Sequence, residues 1–145
     1  MPELGHWPIK CEIPVQWGDL AAFNHVNHTV FLTWMETARM NYFIACGFDE
    51  LHKSKGIGPI LAGLQADYLA PVGFPDTVTV HTTVTRIGNS SFEMGYRITS
   101  EANGGEMAAQ GRVSGVVFDY ESGKSTSMPD SLRRRIYDLE SSAGG

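Results

Sequence analysis

The sequence predicts an α+β fold: a five-stranded antiparallel sheet wrapped around one long central helix, with a short charged helix near the C-terminus. Three observations predict it. The stretch from Thr29 to Cys46, TVFLTWMETARMNYFIAC, is apolar around most of its circumference, and a helix of that kind is enclosed rather than laid on a surface. From residue 59 on, apolar residues stop following a helical period and begin to alternate, as half-buried strands do. Breaks at Gly88-Asn89 and Asn103-Gly104-Gly105 divide that half into hairpins. A buried helix needs a sheet curled round it, and five strands cover only part of one. The apolar surface left over predicts a homodimer, with two sheets joined edge to edge, or a homotetramer built from such pairs.

Each element has its own signal. Residues 9–17, IKCEIPVQW, read as a first strand, where Pro14 points to an edge or a bulge. Asn27 or His28 stands where the helix N-cap belongs, and Gly47 where a C-terminal glycine belongs. Phe31, Met35, Ala38 and Tyr42 share one stripe of the helix, and Trp34 and Phe43 add to the expected core. Glu36 and Arg39, three apart, are spaced to pair. PILAGLQADYLAPV reads as a strand closed by Pro71. In DTVTVHTTVTRI, Val78, Val80 and Val84 take one face, and Thr77, Thr79, His81, Thr83 and Thr85 the solvent side. SFEMGYRITSE puts Phe92, Met94, Tyr96 and Ile98 on one face. EMAAQGRVSGVVFDY, relieved by glycines, reads as a bent central strand. A short helix from Asp130 to Leu139 follows. Residues 1–140 form a single domain, and 141–145 are expected as a disordered tail.

Composition bounds the function. The 145 residues suit one domain with a real core. Hydrophobic content is 42% and charged content 19%, as in ordinary globular proteins. A net charge of −5 argues against nucleic acid as a partner. Cys11 and Cys46 form neither a CxxC pair nor a disulfide framework. The first residues carry no basic segment followed by an apolar run, so no signal peptide is expected. No segment reaches the ~20 apolar residues of a membrane span. A cytoplasmic location, without membrane contact, is the resulting expectation.

The densest chemistry lies in WGDLAAFNHVNHTVFLTWMETAR, residues 17–39. Asp19, His25, Val26, Asn27 and His28 lead directly into the apolar helix, and Phe31 and the Glu36-Thr37-Ala38-Arg39 quartet follow at fixed spacing. In this pattern, and over essentially its whole length, the chain resembles the hotdog-fold thioesterases of the 4-hydroxybenzoyl-CoA thioesterase type. Their signature has the form D-x-D-x-x-G-H-V-N-N followed by Y-x-x-x-x-E-x-A-R. The resemblance implies the hotdog fold and hydrolysis of an acyl-CoA or acyl-carrier-protein thioester to free acid and thiol. CoA then enters as part of the substrate, and no separate cofactor is expected. It also implies that the thioester carbonyl meets the N-terminus of the central helix, whose free N–H groups and dipole stabilise an oxyanion.

The signature is not intact. The usual catalytic acid falls on Ala21, while Asp19 keeps the first acidic position; Asn24 replaces a glycine, and His28 replaces an asparagine. Asp19 is therefore read either as a substitute base or as a loop carboxylate bound to backbone N–H groups. His25 is read as a base near neutral pH or as a ring that fixes the loop. Asn27 is the expected cap, and it shapes the oxyanion site through that role. Asn24, Val26 and His28 are expected to border the substrate, His28 as a group able to orient water. Glu36 could supply an acid, as on the central helix of a sister family, but its spacing favours the pair with Arg39. The turn carrying Arg86, Gly88, Asn89, Ser90 and Ser91 resembles the segment that contacts the pantetheine and nucleotide of CoA, and a cation and a glycine suit a phosphate-bearing ligand. His25 and His28 alone make a poor metal site, so no metal is expected. A non-hydrolytic acyl-thioester binder is the alternative that Ala21 raises. A hydratase is a weaker one, because Asp19 and His25 are six apart and lack the proline of that motif.

Overall fold

The computed structural model describes residues 3–144. Its elements are β1 (Ile9–Pro14), a 3₁₀ turn (Trp17–Asp19), α1 (His28–Ala45), α2 (Phe48–Lys55), β2 (Ile57–Tyr68), β3 (Thr77–Ile87), β4 (Ser91–Ser100), β5 (Glu106–Asp119), β6 (Lys124–Ser125) and α3 (Asp130–Gly144). The antiparallel strands are ordered β1-β3-β4-β5-β2. A two-residue β6 pairs with the end of β5, so the sheet has six strands rather than the five expected. Both sheet edges, β1 and β2, lack a partner strand on their outer side among the described residues. Pro14 ends the edge strand β1, where its missing N–H costs no ladder bond.

The central helix is buried on the side that faces the sheet, while Met40 and Ile44 on its other side are exposed. Phe31, Trp34, Met35, Ala38, Tyr42 and Phe43 are buried on α1. Opposite them, Val78, Val80, Val84, Phe92, Met94, Tyr96 and Ile98 are buried on β3 and β4. The alternation on β4 is as expected. On β3 it is not, because Thr83 is fully buried beside Thr82 and Val84. Its hydroxyl donates to a carboxylate oxygen of Glu140 at 2.6 Å. That carboxylate, also fully buried, accepts three further bonds: from the Tyr42 hydroxyl at 2.7 Å, the Val84 N–H at 3.0 Å and the His6 N–H at 2.9 Å. Four donors thus replace the water that a buried carboxylate loses. They tie α3, α1, β3 and the N-terminal segment together. His81, expected at the solvent face, is half-buried.

The helices differ from expectation in two places. α2 is an additional helix, held between left-handed glycines at Gly47 (φ 83°) and Gly56 (φ 68°). Asp49 and Glu50 lie in its first turn and Lys53 and Lys55 in its last, as the helix dipole favours. α3 runs past Leu139 to Gly144, so residues 141–144 continue a helix where a disordered tail was expected; Gly145 lies outside the described residues. Among the described residues, no helix is long and apolar enough to cross a membrane.

Candidate active site

The loop between β1 and α1 is a short hairpin of its own. Leu20 and Val26 form an isolated antiparallel bridge, and between them the Ala21 N–H donates to the His25 carbonyl at 2.8 Å. The Asn24 N–H donates back to the Ala21 carbonyl at 3.1 Å, closing a turn that puts Asn24 at φ 61°. That left-handed conformation explains why asparagine substitutes for glycine there, since it is the side chain that best tolerates it. The Val26 N–H donates to the Val72 carbonyl at 2.8 Å, which clamps the loop to the β2–β3 connection. Ala21, Ala22, Phe23, Asn24 and His25 are exposed, and Val26 is buried beneath them. The ring of His25 therefore does not plug the loop from inside; its main chain does the fixing.

Asp19 is held next to the helix start by its backbone. Its carbonyl accepts the Asn27 N–H at 2.9 Å. One carboxylate oxygen accepts the Gln16 N–H at 2.8 Å, tying the side chain to its own 3₁₀ turn. Asn27 caps α1: its Oδ1 accepts the Thr29 N–H at 3.1 Å, and its carbonyl accepts the Val30 N–H at 2.9 Å. Among the described residues, the His28 N–H has no protein acceptor. A free amide at a capped helix start is an oxyanion donor in waiting.

That amide belongs to a residue lining an open cleft of about 290 Å³, bounded by Val26, His28, Phe31, Tyr68, Leu69 and Pro71. The Tyr68 hydroxyl donates to the His28 carbonyl at 3.3 Å, and its ring meets Phe31 edge-on, with centroids 5.3 Å apart. A second cleft of about 170 Å³ follows between α1 and β2, lined by Glu36, Arg39, Met40, Phe43, Leu61 and Phe92. The two openings share one seam between the central helix and the edge strand. The expected Glu36–Arg39 pair is loose, at 3.9 Å, while Arg39 donates to the Tyr96 hydroxyl at 3.2 Å. Sequence reasoning missed Tyr68 and the second cleft, because a tyrosine at the end of a strand pattern carries no signal of the helix it faces.

The turn from Arg86 to Ser91 is elsewhere. Ser91 pairs with Val116 and Tyr68 pairs with Ala109, seven residues apart along β5, or about 23 Å at the usual strand rise. Within one chain the turn and the helix start are therefore at opposite ends of the sheet. The turn's carbonyls serve the chain itself: Gly88 accepts from Arg133, Asn89 from the Met128 N–H and Ser90 from the Val117 N–H. A Cβ at Gly88 would meet the Ser91 hydroxyl at 2.6 Å and would oblige that side chain to rotate. The Arg86 and Asn89 side chains are exposed. Among the described residues, no three His, Cys, Asp or Glu side chains are gathered as a metal ion would need.

Comparison with known proteins bears on the family and the fold. A family model described as the thioesterase-like superfamily matches residues 15–136. A thioesterase of Thermus thermophilus, solved with coenzyme A and Zn, superposes with a TM-score of 0.82 at 33% identity, covering 94% of this chain and 96% of that one. A 1,4-dihydroxy-2-naphthoyl-CoA thioesterase of Synechocystis shares the fold, with a TM-score of 0.79 at 19% identity, covering 91% and 97%. The uncharacterized protein YsmA of Bacillus subtilis (strain 168) is 26% identical over 125 residues, 86% of this chain and 82% of its own. With a sheet curled round one capped helix and a family match over residues 15–136, the chain belongs to the thioesterase-like superfamily and is a hotdog-fold thioester hydrolase.

Proposed function

We propose that the chain hydrolyses acyl-CoA thioesters at the mouth of the helix-start cleft. The observation that carries this is the unaccepted His28 N–H at a capped helix N-terminus, on a residue lining an apolar cleft. The thioester carbonyl oxygen approaches that N–H, where the helix dipole offsets the charge of the tetrahedral oxyanion. The acyl group runs along the α1–β2 seam toward the second cleft, over Phe31, Met40 and Phe43. Water adds to the carbonyl carbon, the C–S bond breaks, and the thiolate leaves as the CoA thiol after protonation.

With Ala21 at the usual acid position, the water needs another base. His28 is the histidine that borders the cleft, and its ring stands edge-on to Tyr68 at 6.1 Å. We assign it the base role, with Asp19 and Asn27 holding the loop and the helix start in place. CoA as the thiol carrier is supported by the family resemblance and by the coenzyme A bound to the Thermus relative. A homodimer completes the site: antiparallel pairing of two β2 edges places the partner's Arg86–Ser91 turn near this chain's helix start, since the two lie at opposite ends of the sheet.

The test is thiol release from short, long and aromatic acyl-CoAs by the wild type and by Asp19→Asn, His25→Ala and His28→Ala. His28→Ala is expected to lose about 10²–10⁴-fold, the usual worth of a general base. The other two are expected to fall less than roughly tenfold. Collapse in Asp19→Asn alone would move the base to the carboxylate. CoA binding without thiol release from any substrate would favour the non-hydrolytic binder that Ala21 suggests.

A further inference from the structure

The outer face of the sheet, away from α1, gathers basic side chains in an otherwise acidic chain. Pairing places Lys10, His81, Arg97, Gln110 and Asp67 side by side across all five long strands. Arg112 sits one step along, opposite Gly95 on one side and Gln65 on the other. Cross-strand partners share a face, so Arg97 and Arg112 are diagonal neighbours, roughly 7–8 Å apart. An open cavity of about 320 Å³ lies there, lined by Trp7, Gln65, Asp67, Arg97, Gln110 and Arg112.

Trp7 forms one wall at a conformational cost. It is held at φ 57°, which is rare for a bulky side chain. Its ring lies under the Arg97 guanidinium at 4.1 Å and against the bare backbone of Gly95, where a Cβ would meet it at 3.4 Å. Neighbouring main-chain bonds pin the segment, from the Gly5 N–H to the Val84 carbonyl and from the His6 N–H to Glu140.

Among the described residues, neither Arg97 nor Arg112 comes within 4.0 Å of a carboxylate. Arg112 donates to the neutral Gln65 side chain at 2.8 Å. Of the carboxylates on this face, Asp67 accepts from Gln110 at 3.3 Å and Glu93 from the Thr85 hydroxyl at 3.2 Å, while Glu12 stands two residues beyond Lys10, opposite Thr79. Burial, followed by the charges of Lys10 and Arg97, lowers the pKa of His81, as crowded cations would. Two unpaired guanidiniums on one cavity wall suit an anion with several oxygens, which each can grip bidentately.

We propose that this cavity is a second ligand site, taking a small organic phosphate between Arg97 and Arg112, with Trp7 as its apolar wall. The size fits a small phosphorylated metabolite rather than a macromolecule. The site lies on the opposite face of the sheet from the helix-start cleft, so its failure and that of the thioesterase reading are separable.

The experiment titrates isotope-labelled protein with inorganic pyrophosphate at low salt. It follows the Trp7 indole N–H and the His81 ring, with succinate as a carboxylate dianion for comparison. Saturable shifts at both groups are expected with pyrophosphate, together with a rise of the His81 pKa on binding. Arg97→Gln and Arg112→Gln should each weaken binding roughly tenfold while leaving thiol release from acyl-CoA unchanged. Absence of saturation at millimolar pyrophosphate would overturn the proposal. So would equal binding of succinate, unchanged affinity in both variants, or signals showing the face covered by a second copy of the chain.

Discussion

Asn27 is where fold and chemistry meet in a single side chain, because the cap that starts α1 also leaves the next amide free. Replacing it by Ala should cost about 1 kcal/mol of stability and lower thiol release more than that loss of folded protein explains. Thermal melts and initial rates on one preparation would separate the two. Asn24 can be read the same way: Asn24→Gly should keep or slightly raise stability at φ 61°, whereas Asn24→Val should lower it by about 1–2 kcal/mol. Denaturant midpoints would show the order. His81 gives the chain a pH term. Its folded-state pKa lies below the ordinary 6.5, so the folded protein holds that proton less tightly than the unfolded chain. The corresponding stability is complete above pH 6.5 and declines as pH falls below it. The fall in denaturation midpoint between about pH 7 and pH 5 should therefore be smaller in His81→Gln than in the wild type.

At the level of elements, α3 is fastened by Glu140 rather than by apolar contact alone. Glu140→Ala strands the hydroxyls of Tyr42 and Thr83 and two backbone N–H groups. The expected cost is about 3–5 kcal/mol, read as a lowered melting temperature with faster amide exchange in α3 and the N-terminal segment. None of this was legible in the sequence. A glutamate near the C-terminus of a charged helix looks solvated, and only the tertiary fold brings Thr83 and Tyr42 to it. The buried Thr83 escaped for the same reason, since alternation assigns a face but not the partner that makes a polar face worth burying. By contrast α1, its cap, the four long strands after it and both hairpin turns were readable, because helical enclosure, alternation and turn residues are local signals. α2 was missed although FDELHKSKG carries its own marks, acid first, base last and a closing glycine. An eight-residue helix with little apolar surface gives periodicity too few positions to register.

On the scale of the whole molecule, the seam between α1 and β2 remains open along its length. Met40 and Ile44 on α1, and Leu61, Leu64, Tyr68 and Leu69 on or just after β2, are exposed beside an edge strand without a partner among the described residues. In the proposed homodimer, a second copy pairing along β2 would cover this strip and bring its own Arg86–Ser91 turn toward the helix start. Leu64→Glu should therefore dissociate the dimer in sedimentation and abolish turnover while α1 remains folded by circular dichroism. The sequence could suggest a dimer from surplus apolar residues, and it could name the loop and the turn as site candidates. It could not show that they lie at opposite ends of the sheet in one chain, because that placement is a property of strand register. Nor could it show which loop side chain borders the cleft; register and the hairpin at Leu20–Val26 leave His25 exposed and put His28 at its rim.

In the proposed mechanism the His28 N–H receives the thioester carbonyl. Titration of labelled protein with a non-hydrolysable acyl-CoA thioether ketone, which retains that carbonyl, tests it most directly. The largest backbone amide shift is expected on His28, with Asn27, Phe31 and Tyr68 following. A saturable binding curve in which the His28 amide does not move would contradict it.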